Sequence, residues 1–209
     1  MSALPESPAA ERNKQPILEQ LQRLLPPQGR LLELASGTGQ HAAWFAAGLP
    51  GWRWQPTEAN SAALPTIAAW VQRAGVGNVR PPCRLDVAQA TWPSDDESLA
   101  RDFEQPFDAI FCANLLHIAP WSLCQPLMNG ARRHLAPDGL LLLYGPFLEG
   151  DVPTAPSNHE FDASLRRQHP AWGIRQREAV ERCAQDAGLR LRQRIPMPSN
   201  NLLLVFKRA

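Results

Sequence analysis

The sequence predicts an α/β domain built on a mostly parallel, Rossmann-like sheet. Apolar strand patterns alternate with amphipathic helix patterns along most of the chain, which is typical of βαβ units. The first strand pattern runs directly into Ser-Gly-Thr-Gly at 36–39, a turn that joins a strand to a helix. Near the C-terminus only a Pro/Asn-rich turn separates two strand patterns, and so short a connection requires an antiparallel pair.

The individual elements follow from hydrophobic periodicity and from the residues that interrupt it. Strands are predicted at 30–35, 52–57, 79–85, 107–113, 140–144, 189–195 and 202–207. Helices are predicted at 11–25, 40–47, 61–74, 121–135, 159–167 and 175–187. Pro81 and Pro82 interrupt the third strand and favour a position at the sheet edge, because proline cannot donate to a ladder.

Length and composition indicate one globular domain. The chain has 209 residues, of which 44% are apolar and 20% are charged, which is enough for one substantial core. We expect a single domain over 1–209, with an N-terminal helix or lid at 1–25 and a substrate-recognition insertion at 145–175. Long loops of this kind usually serve recognition.

Net charge and cysteine spacing limit the binding partners and the cellular compartment that we expect. The net charge of +1 does not favour nucleic acid as an obligatory partner. Apolar runs such as 140–144 are too short to span a bilayer, and the N-terminus lacks the apolar core of a signal peptide. The four cysteines have no CxxC spacing, so we predict no metal, no disulfide framework and a cytoplasmic location. The sequence does not determine the oligomeric state.

Glycines and acids follow the first three predicted strands. Ligands of open α/β sheets bind outside the carboxyl ends of the strands. Gly37 and Gly39 follow the first strand, where glycine lets the backbone approach a ligand and the next helix offers unpaired N–H groups. Glu58 and Asp86 end the second and third strands. This pattern fits S-adenosylmethionine (SAM), with the helix on the methionine carboxylate, Glu58 on the ribose, and Asp86 with its neighbour Val87 at the adenine.

A nicotinamide dinucleotide is the competing interpretation of the same loop. Residues 37–42 satisfy G-x-G-x-x-A, and Glu58 has the spacing of an acid that binds a dinucleotide ribose. Three features favour SAM. Glu33 lies inside the first strand, where methyltransferases carry an acid and where a dinucleotide fold would bury an awkward charge. Asp86 supplies a further acid, and the terminal hairpin matches the antiparallel seventh strand of class I methyltransferases.

Five short blocks resemble a family of class I methyltransferase-like proteins that includes methyltransferase-like protein 26. The blocks are S-P-A-A-E-R-N-K at 7–14, L-A-S-G-T-G-Q-H at 34–41, F-D-A-S-L-R at 161–166, W-G-I-R at 172–175 and M-P-S-N-N-L at 197–202. The resemblance spans nearly the whole chain and implies the seven-stranded methyltransferase sheet and SAM, but no particular acceptor. The wider superfamily has a glycine where this chain has Ala35. We keep Ala35 as a cofactor contact and expect it to have a negative φ, which a residue with a Cβ tolerates.

The candidate catalytic residues follow the fourth and fifth strands. Because SAM already carries an activated leaving group, the protein mainly aligns the acceptor, and we predict neither a triad nor a metal. Asn114 follows the fourth strand, in the slot near the methyl group, and is a candidate for both cofactor contact and catalysis. His117 is a candidate base, with loop capping as the alternative. Tyr144 is a candidate through its hydroxyl, with a core aromatic as the alternative.

The N-terminal segment is expected to cover the cofactor. By the resemblance, 7–14 forms a lid over SAM, with Arg12 or Lys14 near the carboxylate and Asn13 bonded to the carboxylate or to the substrate. A solvated first helical turn is the alternative. We count Arg12 and Asn13 as cofactor candidates and Lys14 as a substrate candidate.

The insertion carries the other substrate candidates. They are Asn158, Phe161, Asp162, Trp172 and Arg175. Arg175 would suit a carboxylate or phosphate on the acceptor, with a surface ion pair as the alternative.

Together these expectations describe a SAM-dependent methyltransferase that acts on a small molecule. An RNA or protein acceptor is one alternative, and a SAM-binding regulatory protein without turnover is another. The sequence leaves the acceptor atom open.

Overall fold

The computed structural model describes residues 3–92 and 103–209. Within these ranges eight strands form one sheet: β1 (Gly29–Leu34), β2 (Trp52–Glu58), β3 (Cys83–Arg84), β4 (Phe107–Ala113), β5 (Leu135–Leu148), β6 (Arg175–Gln176), β7 (Leu189–Met197) and β8 (Asn201–Arg208). Their order is β3-β2-β1-β4-β5-β8-β7, and the two-residue β6 pairs with β5 outside this path.

The direction of the strands confirms the predicted fold class. β1 to β5 are parallel to one another, whereas β8 lies antiparallel between β5 and β7. Without β6, the path has seven strands, as predicted. The strand order reverses at β1, which lies between β2 and β4, so a crevice for ligands is expected at the carboxyl ends of these strands.

Helices cover both faces of the sheet. Those in the described residues are α1 (Pro8–Leu24), α2 (Gln40–Gly48), α3 (Leu64–Ala74), α4 (Cys124–His134), α5 (Pro156–Gln168) and α6 (Arg177–Asp186). α1 and α2 bury apolar side chains against one face, α3 packs on α2, and α4 and α6 cover the other face. Burial of each large apolar side chain contributes about 1.5–3 kcal/mol. No helix in this part of the chain is long and apolar enough to cross a membrane.

Several elements differ in extent from the sequence prediction, among them the predicted helix 175–187, which begins only at Arg177 because Arg175–Gln176 pair with β5. The third strand shrinks to Cys83–Arg84, with one isolated bridge at Val79, because the intervening prolines cannot donate; its predicted edge position is confirmed. β5 extends far beyond 140–144. Its pairing with β4 continues back to Leu135 across a register shift, and its pairing with β8 continues forward to Pro146. The predicted short helix at 159–167 is the longer α5.

Candidate functional site

The loop between β1 and α2 has a left-handed backbone at three residues. Ala35, Gly37 and Gly39 have φ values of 54°, 57° and 87°. The expectation of a negative φ at Ala35 is therefore wrong, and this conformation costs about 1–2 kcal/mol for a residue with a Cβ. Two hydrogen bonds between Ser36 and Thr57 of β2 hold the loop. The Ser36 N–H donates to Thr57 O at 2.8 Å, and the Ser36 Oγ accepts from Thr57 N at 3.2 Å.

The two glycines of this loop have different surroundings. A Cβ on Gly39 would lie 2.7 Å from the Cα of Ile67 in α3. A Cβ on Gly37 would have no described atom within 4 Å. Gly39 is thus required for the packing of α3, whereas Gly37 is the glycine that borders open space.

Glu58 connects the end of β2 to this loop. Its Oε2 accepts from Gly37 N at 3.0 Å, and its Oε1 accepts from Ala59 N at 2.9 Å and Asn60 N at 3.2 Å. The structure thus brings Glu58 and Gly37 together, as their positions on neighbouring strand ends predict. Three N–H donors hold the carboxylate at the crevice.

Glu33 lies inside the sheet behind the loop. It is 2% exposed, and its Oε2 accepts from Trp54 Nε1 at 2.8 Å. Burial raises the pKa of Glu33 to about 7, against the effect of the Trp54 hydrogen bond. The buried charge expected from the sequence is therefore partly neutralised near pH 7.

Asp86 and Val87 follow β3. Asp86 Oδ1 accepts from Ala88 N at 2.9 Å and so holds the turn that follows the strand. The Val87 side chain is buried in the core on the α4 and α6 face. Only the backbone of Val87 is therefore suited to contact a ligand.

A hydrogen-bonded group joins α1, α2 and β5. Asn13 Oδ1 lies 2.7 Å from His41 Nε2, and the Asn13 side chain also hydrogen-bonds the Tyr144 hydroxyl. Burial, together with the charge of Lys14, lowers the pKa of His41 to about 4. The imidazole is therefore neutral at pH 7 and donates its Nε2–H to Asn13. Burial raises the pKa of Tyr144, and Arg12 is close enough to oppose that shift.

His41 and its neighbour Gln40 were missed as functional candidates. Their signal in the sequence is a pair of polar residues at the start of α2, which otherwise has a largely apolar sequence. Lys14, in contrast, contacts its own helix and α2: it pairs with Glu11 at 2.5 Å and lies over the Trp44 ring at 4.2 Å.

Two of the three catalytic candidates, Asn114 and His117, meet around Gly145, whereas Tyr144 joins them only through its backbone carbonyl, since its side chain packs on the α1 and α2 face. Asn114 has a left-handed φ of 61°, and its N–H donates to Tyr144 O at 2.8 Å. Asn114 Oδ1 and His117 Nδ1 would lie 3.7 Å and 3.5 Å from a Cβ at Gly145. Burial, together with the charge of Arg175, lowers the pKa of His117 to about 4, so this ring is also neutral at pH 7.

Three substrate candidates in the insertion make contacts within the protein itself. Arg175 donates to the carbonyl oxygens of Leu116, Ala119 and Ala171 at 2.6–2.9 Å. The expected alternative, a surface ion pair of Arg175, is replaced by these carbonyl contacts.

Asp162 and Trp172 have similar internal contacts. Asp162 accepts from Arg166 Nε at 2.8 Å and from Ile174 N at 2.7 Å. Trp172 stacks on His169 with the ring centroids 5.5 Å apart. Both side chains therefore stabilise the insertion through contacts within it.

Phe161 and Asn158 lie in different places on α5. Phe161 is 40% exposed and contacts His117 edge to face, with centroids 5.6 Å apart. Asn158 is buried and donates to Asn200 O at 3.2 Å. It lines an open groove between the end of β5, the start of α5 and the β7–β8 turn, with Arg194 and Glu149 in its wall.

Comparison with known families identifies the relatives of the chain. Residues 5–208 match the model of a family described as "Protein of unknown function (DUF938)". The chain belongs to this family. A relationship to the group that includes methyltransferase-like protein 26 stays a prediction.

Solved methyltransferase structures share the fold. CalO1, a methyltransferase in calicheamicin biosynthesis in its SAH-bound form, is 14% identical over 96% of this chain and 54% of its own, with a TM-score of 0.77. An O-methyltransferase family 2 protein from Planctomyces limnophilus, in complex with apigenin, is 18% identical over 96% and 60%, with a TM-score of 0.76. Human N-acetylserotonin methyltransferase, in complex with SAM, is 14% identical over 96% and 53%, with a TM-score of 0.72. The chain thus spans little more than half of each neighbour, and the likeness establishes the fold.

Proposed function

We propose that this chain is a SAM-dependent methyltransferase that acts on a small molecule. The crevice between β1 and β2 carries the proposal: a left-handed loop borders open space at Gly37, and the Glu58 carboxylate is fixed beside it. Two of the similar structures contain SAM or SAH (S-adenosylhomocysteine), which adds support. We propose one domain over 1–209, in the cytoplasm, with 1–25 as the lid and 145–175 as the acceptor-recognition segment.

The residues at the crevice fit the parts of SAM. The first turn of α2 has no side-chain cap, so its N–H groups suit a carboxylate. Glu58 would accept from the ribose hydroxyls and Asp86 from the adenine amino group, beside the Val87 backbone. We assign the remaining cofactor contacts to Arg12, Asn13, Glu33, Ala35, Gly37, Gly39 and Asn114.

The chain's own chemistry would take place around Gly145. SAM, when bound, supplies a methyl group activated by its sulfonium. We propose that Asn114 and Tyr144 orient the acceptor and that the neutral His117 ring accepts the acceptor's proton when a hydroxyl reacts. Phe161, which lies against His117, would exclude water from this place.

We propose different tasks for the substrate candidates. Phe161 would touch the acceptor directly, and Asn158 would contact it from the groove beside the β7–β8 turn. Asp162, Trp172 and Arg175 would position the insertion through the contacts described above. Lys14 would contact the acceptor from its position on α1.

Calorimetric titration with SAM, SAH and NAD tests the cofactor assignment. We expect SAM and SAH to bind with a Kd of about micromolar order and NAD not to bind. Glu58→Ala should weaken SAH binding at least about tenfold through loss of a charged acceptor. Asp138→Ala, which removes an exposed acid at the opposite edge of the sheet, is the control and should have no effect. Binding of NAD in place of SAH would contradict the proposal.

Transfer of labelled methyl groups from SAM tests the acceptor class. We expect label to enter one class of small molecules in a metabolite mixture. Label in RNA or protein would replace the small-molecule acceptor. SAM binding without any transfer across all three pools would identify a regulatory protein.

A further inference from the structure

The side chain of Gln40, the first residue of α2, has one satisfied end and one unsatisfied end. It is 4% exposed. Its Oε1 accepts from Ser7 N at 2.5 Å and from Thr38 Oγ1 at 3.0 Å. Its Nε2 is buried and has no hydrogen-bond partner among residues 3–92 and 103–209.

The orientation of this amide follows from its neighbours. The Ser7 N–H can only donate, so the oxygen of Gln40 has to face it, and a flipped amide would set two N–H groups against each other. The unpaired donor is therefore imposed by the packing of α1 on α2. A buried donor without a partner destabilises the folded state, and folded proteins retain few of them.

The position of Gln40 indicates the missing partner. The first turn of α2 has no side-chain cap in the described structure, and the helix dipole favours an anion there. Open space at Gly37 lies directly before this turn. A carboxylate at this turn would satisfy the Gln40 donor together with the backbone N–H groups.

We propose that Gln40 Nε2 donates to the carboxylate of the amino-acid part of SAM and that Gln40 couples ligand binding to the N-terminal strap, residues 5–14. This inference rests on the proposed function. A carboxylate that holds Nε2 also fixes Oε1, the acceptor of the strap's Ser7 N–H. Two further contacts hold the strap to α3 and α2: Trp70 Nε1 donates to Pro5 O at 3.0 Å, and Asn13 binds His41. Ligand binding therefore stabilises the seated strap.

Gln40→Glu isolates the donor. The variant has the same shape and retains an oxygen for Ser7 and Thr38, but it sets a carboxylate oxygen where Nε2 was. We expect affinity for SAH to fall about 20-fold or more, since a charge-assisted bond is replaced by repulsion. Affinity for 5′-methylthioadenosine, which lacks the carboxylate, should stay within about twofold. Equal losses for both ligands, or none for SAH, would overturn the assignment.

Gln40→Met tests the coupling to the strap. It removes both polar ends at similar volume, so SAH should bind about tenfold more weakly and should no longer slow hydrogen exchange of the strap. Gln22→Met is the matched control, because Gln22 Nε2 donates to Gly48 O at the other end of α2; it should leave both measurements unchanged. Slowed exchange in Gln40→Met equal to that in the wild type would overturn the coupling.

Wild-type titration separates the two proposals, and thermal unfolding confirms that each variant is folded. If the wild type binds neither SAH nor 5′-methylthioadenosine, the proposed function fails and this inference fails with it. If the wild type binds SAH and Gln40→Glu binds it equally well, only the role of Gln40 fails.

Discussion

The carboxyl edge of the sheet has two halves that are built differently. The proposed cofactor half comprises the ends of β1 to β3 and the start of α2, where the backbone is left-handed and borders open space. The proposed acceptor half comprises the ends of β4 and β5 with the insertion, where side chains such as Arg175 and Asp162 bond to nearby backbone. In the cofactor half, the backbone conformation forms the crevice. In the acceptor half, contacts between side chains and loops determine the structure.

Gly39→Ala should have the largest effect on stability. Its Cβ would lie 2.7 Å from Ile67 Cα at a φ of 87°, so overpacking and left-handed strain together should lower the free energy of unfolding by about 4 kcal/mol. Urea unfolding measures the loss. A loss of under about 1 kcal/mol would contradict the packing role of Gly39.

Gly37→Ala is the matched variant in the same loop. No described atom meets its Cβ, so strain alone should lower stability by about 1 kcal/mol. Since the Cβ enters the open space, SAH affinity should fall about tenfold or more. Unchanged affinity would remove Gly37 from the cofactor half.

Glu33→Gln should change the pH dependence of stability. The pKa of Glu33 is raised by burial from 4.5 to about 7, so the folded protein keeps a proton that the unfolded chain releases. The free energy of unfolding therefore falls, by about 3 kcal/mol, as pH rises through this window, and the uncharged amide of the variant cannot contribute this decrease.

Urea unfolding of both proteins at pH 5 and pH 8 measures this effect. His41 and His117 have lowered pKa values and produce the opposite slope as pH falls, so the difference between variant and wild type is the relevant quantity. Parallel pH profiles would show that Glu33 is ionised throughout.

Arg175→Met should destabilise the acceptor half alone. The variant keeps the length of the side chain but leaves three carbonyl oxygens without their charged donor, at about 2 kcal/mol. SAH affinity should stay within about twofold. Arg182→Met, at an exposed position on α6, is the control. A large loss of SAH affinity would mean that the two halves are coupled through the insertion.

Tyr144→Phe should have the smallest effect. It removes only the hydroxyl that Asn13 binds, at about 1 kcal/mol, and SAH affinity should change by less than about threefold. Titration calorimetry and urea unfolding measure both. A tenfold loss of affinity would move Tyr144 into the cofactor half.

The sequence predicts the cofactor half better because its geometry is local. Gly37 and Glu58 end neighbouring strands, so their meeting follows from strand order alone. The left-handed φ of Ala35 was not predictable, since hydrogen bonds between Ser36 and β2 impose it. Gln40 was missed because its environment depends on α1, which is distant in sequence.

The acceptor half depends even more on tertiary contacts. The sequence placed Asn114 and Tyr144 on neighbouring strand ends, and the structure joins them by a backbone hydrogen bond. The contacts of Arg175 with carbonyls from two loops could not be predicted, because the course of 145–175 depends on how α5 packs over the sheet edge. Charged residues in the insertion therefore suggested ligand binding where the structure shows internal bonds.

Hydrogen exchange with and without SAH tests the division of the edge most directly. We expect SAH to slow exchange at 35–42, at 58–60 and in the strap, since the ligand would cover the first turn of α2 and the Glu58 crevice. Exchange at 156–176 should stay the same, because the acceptor half does not need the cofactor to form its internal contacts. Slower exchange confined to 156–176, with none at the glycine loop, would contradict the assignment of the cofactor half.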